Sequence, residues 1–303
     1  MSGRQTLSYL QKRFAAAGVK PQTRFGQNFL IDLNLVALIA KTAQLSARDV
    51  VLEVGTGTGS LTTIMAAQAG HVVTIEIDRL LAPIAQQEFA QLANVTLLNQ
   101  DALRNKNHID EIVLEAVRAR MAEIPGARFK LVANLPYNVA TPIISNLLGC
   151  DPWPNRIVAT IQKELAERIV ALPRSKDYGA LSIWIQCQAQ AEIVRVMPAS
   201  VFWPRPNVES AIIDIRPSRV LRDRIGDTEF FHNLMRGIFI HRRKFLRSAL
   251  VAATKDRLSK SDVDDLLAQL ELEENCRAEQ LRVDDLIDLA EHVRIRINKI
   301  APS

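Results

Sequence analysis

The stretch Asp49-Val50-Val51-Leu52-Glu53-Val54-Gly55-Thr56-Gly57-Thr58-Gly59 decides the fold. A buried-type strand, apolar except for Asp49 and Glu53, enters a turn with glycine at every second position, and Ser60 to Ala69 continue at helical spacing. Strand, glycine turn and helix make a nucleotide-binding unit: glycine lets the backbone approach a ligand closely, and the first N–H groups of the helix lack internal partners. A second strand, His71 to Ile75, ends at Glu76, 21 positions after Gly55. An acid at that place can accept hydrogen bonds from two ribose hydroxyls.

Working outward, a helix over Arg79 to Ala90 leads to a third strand, Val95 to Asn99, and then to Gln100-Asp101-Ala102. Asp101 at a strand end suits either the amino group of a cofactor adenine or a turn or helix cap. A helix over His108 to Glu123 precedes the fourth strand, Phe129 to Ala133, which ends in Asn134-Leu135-Pro136-Tyr137. The order β-α-β-α-β-α-β predicts a parallel, doubly wound Rossmann-like sheet with right-handed crossovers. Glu76, Asp101 and Asn134 then share the carboxyl edge where such sheets bind ligands.

An amide, a main-chain carbonyl and an aromatic ring at that edge suit a flat heterocycle with an exocyclic NH2. Asn134 and the carbonyl would each accept one amine hydrogen while Tyr137 covers the base face. The tetrapeptide also reads as a plain turn. The glycine spacing is GxGxG, with Ser60 where the dinucleotide fingerprint places its third glycine. S-adenosylmethionine has no pyrophosphate to cradle and needs only room beside the turn, so it competes with NAD for this site.

Upstream, Leu7, Leu10 and Phe14 give an amphipathic helix over Arg4 to Ala17, and Arg24 to Asp32 alternates aromatic with polar residues before a helix over Leu33 to Ala43. That alternation is either a hydrophobic plug with a satisfied Asn28 or a ligand contact. Downstream come a strand (Arg156 to Ile161), helices (Lys163 to Ala171, Ala180 to Cys187) and two last strands (Ala189 to Met197, Val208 to Arg216). The proline-rich loop joining these strands carries Phe202 and Trp203, for base stacking or for packing. Arg216-Pro217-Ser218 marks the boundary between a domain of residues 1–216 and a helical domain of residues 217–303, with helices over Phe230 to His241, Arg243 to Ala253, Ser261 to Leu270 and Val283 to Ile297.

At 303 residues and 48% hydrophobic content the chain supports a large core and a smaller domain. Cys150, Cys187 and Cys276 are scattered and odd in number, against a disulfide framework or zinc site and for a reducing, cytoplasmic setting. Neither a signal peptide nor a membrane span is visible. Net charge is +5, yet Met1 to Ile31 holds five basic residues and Arg236 to Lys255 six, with no acid in either. Segregated positive charge of this kind fits a phosphate backbone.

Over nearly its whole length the chain resembles the small-subunit ribosomal RNA adenine dimethyltransferases. The residues that carry the resemblance are RFGQNFLID (Arg24 to Asp32), LEVGTGTGSL (Leu52 to Leu61), Glu76-Ile77-Asp78-Arg79, Gln100-Asp101-Ala102, NLPYNVATP (Asn134 to Pro142) and Gln162-Lys163-Glu164. They continue in SKDYGAL (Ser175 to Leu181), VFWPRPNVES (Val201 to Ser210), Arg242-Arg243-Lys244 and Arg277-Ala278-Glu279.

The resemblance implies a class I methyltransferase sheet with a small all-helical C-terminal domain. The implied activity is S-adenosylmethionine-dependent N6,N6-dimethylation of two adjacent adenosines near the 3′ end of small-subunit rRNA. On matching positions, Asn28, Leu30, Gly55, Gly57, Glu76, Asp101 and Asn134 would hold the cofactor. Asn134 and the Pro136 carbonyl would accept the N6 hydrogens, with Tyr137 and Phe202 stacking on a flipped adenine. This is catalysis by positioning, with neither metal nor covalent intermediate. Arg242, Arg243, Lys244 and Arg247 would bind rRNA. The expected form is a cytoplasmic monomer acting on a pre-assembled small subunit, away from any membrane. His241 stands where the family commonly has Gln, Arg104 to Arg128 is longer than in the bacterial members, and Trp203 is unusual. A large-subunit rRNA methylase conferring antibiotic resistance shares the tetrapeptide. A non-catalytic ribosome-assembly factor would not require intact Glu76 and Asn134.

Overall fold

The computed structural model describes residues 7–22, 25–255, 257–273 and 275–300, the last without its side chain. Arg4 and Arg24 of the N-terminal basic stretch lie outside them. The chain forms two compact units, one running to Ala166 and including Glu192–Pro217, the other made of Glu167–Ala191 and the chain from Ser218 onward. The segment Glu167–Ala191, inside the 1–216 span expected of the first domain, groups with the second unit.

Seven strands form the central sheet: β1 (Asp49–Val54), β2 (His71–Ile75), β3 (Val95–Leu98), β4 (Arg128–Asn134), β5 (Arg156–Gln162), β6 (Ala189–Met197) and β7 (Ser210–Pro217). Their order is β3-β2-β1-β4-β5-β7-β6. The first five are parallel, and β7 runs antiparallel to β5. The chain reverses its direction of travel across the sheet between β1 and β4, so the carboxyl ends of β1, β2 and β4 open onto the crevice where such sheets take ligands. All residues of β1 and β2 are buried, as sheets covered on both faces require. On one face Val51, Val72, Val132, Val158 and Ile212 pack against Ile39 of helix Leu33–Thr42 and Leu61 and Met65 of helix Ser60–Ala66. Each such side chain contributes about 1.5–3 kcal/mol of burial free energy.

Numbered in chain order, the helices of this unit are α1 (Leu7–Ala16), α2 (Leu33–Thr42), α3 (Ser60–Ala66), α4 (Ala82–Glu88), α5 (Glu111–Glu123) and α6 (Tyr137–Leu147). A two-residue strand, Phe29–Leu30, pairs antiparallel with Phe202–Trp203. Leu10 and Phe14 of α1 close over it, with the Phe14 and Phe29 rings edge-to-face at 5.1 Å.

Two helix starts and one hairpin differ most from the sequence reading. The helix expected from His108 begins at Glu111 because Asp110 caps it, accepting the Ile112 N–H at 3.0 Å. The residues before it form a small hairpin, Leu103–Asn105 against His108–Ile109, whose two short strands, with Ile109 buried between exposed polar neighbours, are too brief to leave a periodicity to read. The helix expected from Arg243 starts at Leu246, with residues 241–244 in a turn.

Chain connectivity leads from β5 through α7 (Lys163–Val170) to the second unit, which holds α8 (Ala180–Gln186), α9 (Arg219–Arg222), α10 (Thr228–Ile240), α11 (Leu246–Ala253), α12 (Lys260–Gln269) and α13 (Val283–Ile300). Its core includes Leu234, Met235, Ile238, Leu250, Leu266 and Leu286. Tyr178 is fully buried there, its hydroxyl donating to the Leu281 carbonyl at 3.1 Å. No helix among the described residues is long and apolar enough to cross a membrane.

Candidate active site

A cavity of about 350 Å³ opens at the carboxyl ends of β1, β2 and β4. Gly55, Gly57, Glu76, Asp101, Asn134 and Pro136 all line it, although they are distributed over 82 positions of sequence from Gly55 to Pro136. The glycine turn is held down by Gly55 N–H and Thr56 N–H donating to the Ile75 carbonyl at 2.9 and 3.1 Å. Gly55 has φ +87°, and a Cβ there would lie 3.3 Å from Pro136 Cδ, so the turn and the tetrapeptide pack as one piece. Gly57, at φ +58°, directs its N–H to Glu76 Oε2 at 2.9 Å.

Glu76 is 4% exposed. Its second oxygen accepts the Asp78 N–H at 2.9 Å. Burial pushes its pKa up to about 7 even though these backbone donors oppose the rise. Two N–H donors leave a carboxylate with acceptor capacity for two more. Asp101 lines the cavity, and one of its oxygens accepts the Leu103 N–H at 2.9 Å in a local turn.

The Asn134 amide is oriented from outside the strand. Its Nδ2 donates to the main-chain carbonyl of Asn28 at 2.9 Å, which leaves Oδ1 as the acceptor the amide can present. Asn28 thus enters the site through its backbone, while its side chain turns back to the Gly26 carbonyl at 3.3 Å. Pro136 caps α6, and its carbonyl accepts the Val139 N–H at 3.1 Å, keeping one lone pair. Tyr137 is half-buried against the cavity, and burial raises its pKa. Leu30 lines the cavity as expected. Phe202, expected to stack on the base, is 3% exposed and packs in the core beside Leu30, its cross-strand partner, apart from the residues that line the cavity. The strand pairing that places Leu30 at the wall turns Phe202 inward.

Glu53 lies under the glycine turn, fully buried, accepting hydroxyl hydrogens from Thr62 and Thr74, with Thr56 bonded to Thr74 at 2.6 Å. Burial drives its pKa up to about 8. The sequence concealed this network because its hydroxyls come from three separate elements. Gln27 Nε2 donates to Asp78 Oδ2 at 2.9 Å, tying the segment before Phe29 to the loop after Glu76.

The sequence profile of the ribosomal RNA adenine dimethylases matches residues 18–294. The chain belongs to the ribosomal RNA adenine dimethylase family. Ribosomal RNA small subunit methyltransferase A of Ligilactobacillus salivarius is 38% identical over 283 residues, covering 93% of each chain. The protein of the same name from Lactococcus lactis is 37% identical over 268 residues, covering 88% of each. A dimethyladenosine transferase from Plasmodium falciparum superposes with a TM-score of 0.72 at 23% identity, over 89% of this chain and 97% of its own. The 23S rRNA methyltransferase ErmE superposes at 0.60, also with 23% identity, over 88% and 100%. These two share the class I methyltransferase fold with the dimethylase chain.

The second unit of this dimethylase-family chain carries a groove of about 680 Å³ lined by Lys176, Arg242, Arg243, Lys244 and Arg277, with Glu279 as its acid. Arg242 is committed internally, paired with Glu279 and donating to the Ser175 carbonyl at 3.2 Å. Arg247 forms a two-pronged pair with Asp264. Arg243 and Lys244 are exposed. Of the first basic stretch, Arg13 is likewise engaged, with Glu88 and the Ile84 carbonyl.

Proposed function

We propose that this chain transfers methyl groups from S-adenosylmethionine to the N6 amines of two adjacent adenosines near the 3′ end of small-subunit ribosomal RNA. The observation that carries the reading is the Asn134 amide, locked by the Asn28 carbonyl beside the half-used carbonyl of Pro136 at a cavity walled by Gly55 and Glu76. The residues fit the cofactor. Glu76 has acceptor capacity for two ribose hydroxyls, Asp101 for an adenine amine, and the close contact between Gly55 and Pro136 puts the turn next to the amine clamp. When bound, S-adenosylmethionine supplies an electrophilic methyl group on its sulfonium.

Asn134 Oδ1 and the Pro136 carbonyl each accept one N6 hydrogen, which makes the nitrogen more tetrahedral and turns its lone pair toward that methyl. Tyr137 stacks on the flipped base and excludes water from one face. The gain comes from alignment of the reacting atoms. The names of the Lactococcus and Ligilactobacillus relatives favour small-subunit over large-subunit RNA. Unmodified small subunits and large-subunit RNA, each incubated with radiolabelled cofactor and mapped by mass spectrometry, test this. Adjacent N6,N6-dimethyladenosines in the small-subunit RNA are expected; label confined to large-subunit RNA overturns the reading.

Glu76 predicts a pH dependence. Its raised pKa leaves the carboxyl neutral below about 7, yet two hydroxyl donors call for the anion. Binding then releases a proton at low pH, so affinity for S-adenosylhomocysteine should rise about tenfold per pH unit below about 7 and level off above it. Calorimetry across this range should show the break, and Glu76→Gln should weaken and flatten the profile. A flat wild-type profile would count against the assignment.

In the second unit we assign RNA contact to Arg243 and Lys244. Arg243→Ala and Lys244→Ala should each weaken small-subunit binding and reduce the logarithmic salt slope by about 1. Arg247→Ala should chiefly affect stability, because Asp264 holds that side chain. Equal salt slopes in all variants and wild type would remove the assignment.

A further inference from the structure

The Tyr137 ring is held at both ends. Its backbone begins α6 directly after Pro136, and its hydroxyl shares a 2.5 Å hydrogen bond with Ser210 Oγ, 73 residues away at the start of β7. Ser210 is fully buried and pairs in register with Gln162 of β5. The Lys163 N–H donates to the neighbouring Glu209 carbonyl at 3.0 Å, so the serine sits on a fixed piece of sheet. An aromatic side chain tethered only at its Cα can rotate about two bonds. A hydroxyl anchor at the far end removes that freedom.

We propose that Ser210 is a positioning residue: it holds the Tyr137 ring over the cavity so that the target adenine stacks in one orientation, and the second methyl transfer depends on it most. This rests on the amine-clamp reading above. In the first transfer the amine offers two hydrogens, one to Asn134 and one to Pro136. In the product an N–C bond replaces one N–H, the methyl having left the sulfonium with cleavage of its S–C bond and the displaced proton having passed to solvent. The monomethylated base therefore offers one hydrogen to two acceptors, and ring stacking carries a larger share of its alignment.

The test compares wild type, Ser210→Ala, Tyr137→Phe and the double variant on unmodified small subunits. It measures kcat, the ratio of monomethyl to dimethyl adenosine, and S-adenosylhomocysteine affinity by calorimetry. Loss of one neutral hydrogen bond should slow the second transfer about tenfold in either single variant. Monomethyladenosine should accumulate, S-adenosylhomocysteine affinity should stay at the wild-type value, and the double variant should be no worse than either single one. Additive losses in the double variant, or cofactor affinity falling together with kcat, overturn the proposal. If Ser210→Ala fails to fold, Tyr137→Phe decides alone: a wild-type product ratio there overturns the proposal. Failure of the wild type itself to methylate adenosine would instead sink the functional reading.

Discussion

Asn134→Ala is expected to slow methyl transfer by roughly 10²–10³-fold, the scale seen when one preorganised hydrogen-bonding group is removed from an active site. Small-subunit affinity should change little, because phosphate contacts are what position a bound RNA and the residues we assign to them, Arg243 and Lys244, are not part of the clamp. Asn134→Asp is the sharper variant. It preserves shape, but a carboxylate cannot donate to the Asn28 carbonyl 2.9 Å away, so the group loses the bond that orients it. Single-turnover transfer of radiolabelled methyl groups to unmodified small subunits measures both variants. Wild-type incorporation by Asn134→Ala would eliminate the amide clamp as the source of catalysis.

Asp49→Ala is expected to destabilise the first unit by about 3–5 kcal/mol, since it leaves a buried cation without its counter-charge. Asp49 is fully buried at the start of β1 and receives Lys130 Nζ at 3.0 Å and Arg128 Nε at 2.9 Å. Burial pushes its pKa up, but the hydrogen bonds from Lys130 and Arg128 outweigh that, and the net shift is downward. A carboxyl with a depressed folded-state pKa stabilises above its unfolded value near 3.8 and loses that contribution as pH falls through the folded value. The Asp49→Ala defect should therefore be full at neutral pH and shrink in acid. Lys130 also reaches the Ala43 and Gln44 carbonyls, and Asp49→Ala with Lys130→Met should recover much of the loss by removing the stranded charge. Urea denaturation of the three proteins measures this; a single variant as stable as wild type would show the cluster to be energetically idle.

Glu53 and Glu76 work in the opposite sense. Their raised pKa values make the unligated protein less stable as pH climbs from about 4.5 to about 8, because the unfolded carboxyls ionise first. The two buried acids therefore lie where ligand contacts can repay the cost. Asp49, by contrast, sits at the opposite end of β1 from the glycine turn and acts only on the fold.

The sequence alone determined the strand–turn–helix at Asp49 to Ala66, the succession of strands, and the placement of Glu76, Asp101 and Asn134 at strand ends. Those features follow from periodicity and turn chemistry within a few residues, which a linear pattern records. It misjudged the start of α5 and missed the hairpin before it, where strands of two and three residues are too short to carry a period. Which side chains finally meet was decided only by tertiary structure. Asn28 reaches Asn134 across 106 positions and Tyr137 reaches Ser210 across 73. Phe202 turns into the core, and Arg242 and Arg247 are taken up by Glu279 and Asp264. Such pairings depend on how distant elements pack, and residue type at one position carries no record of what will lie opposite it.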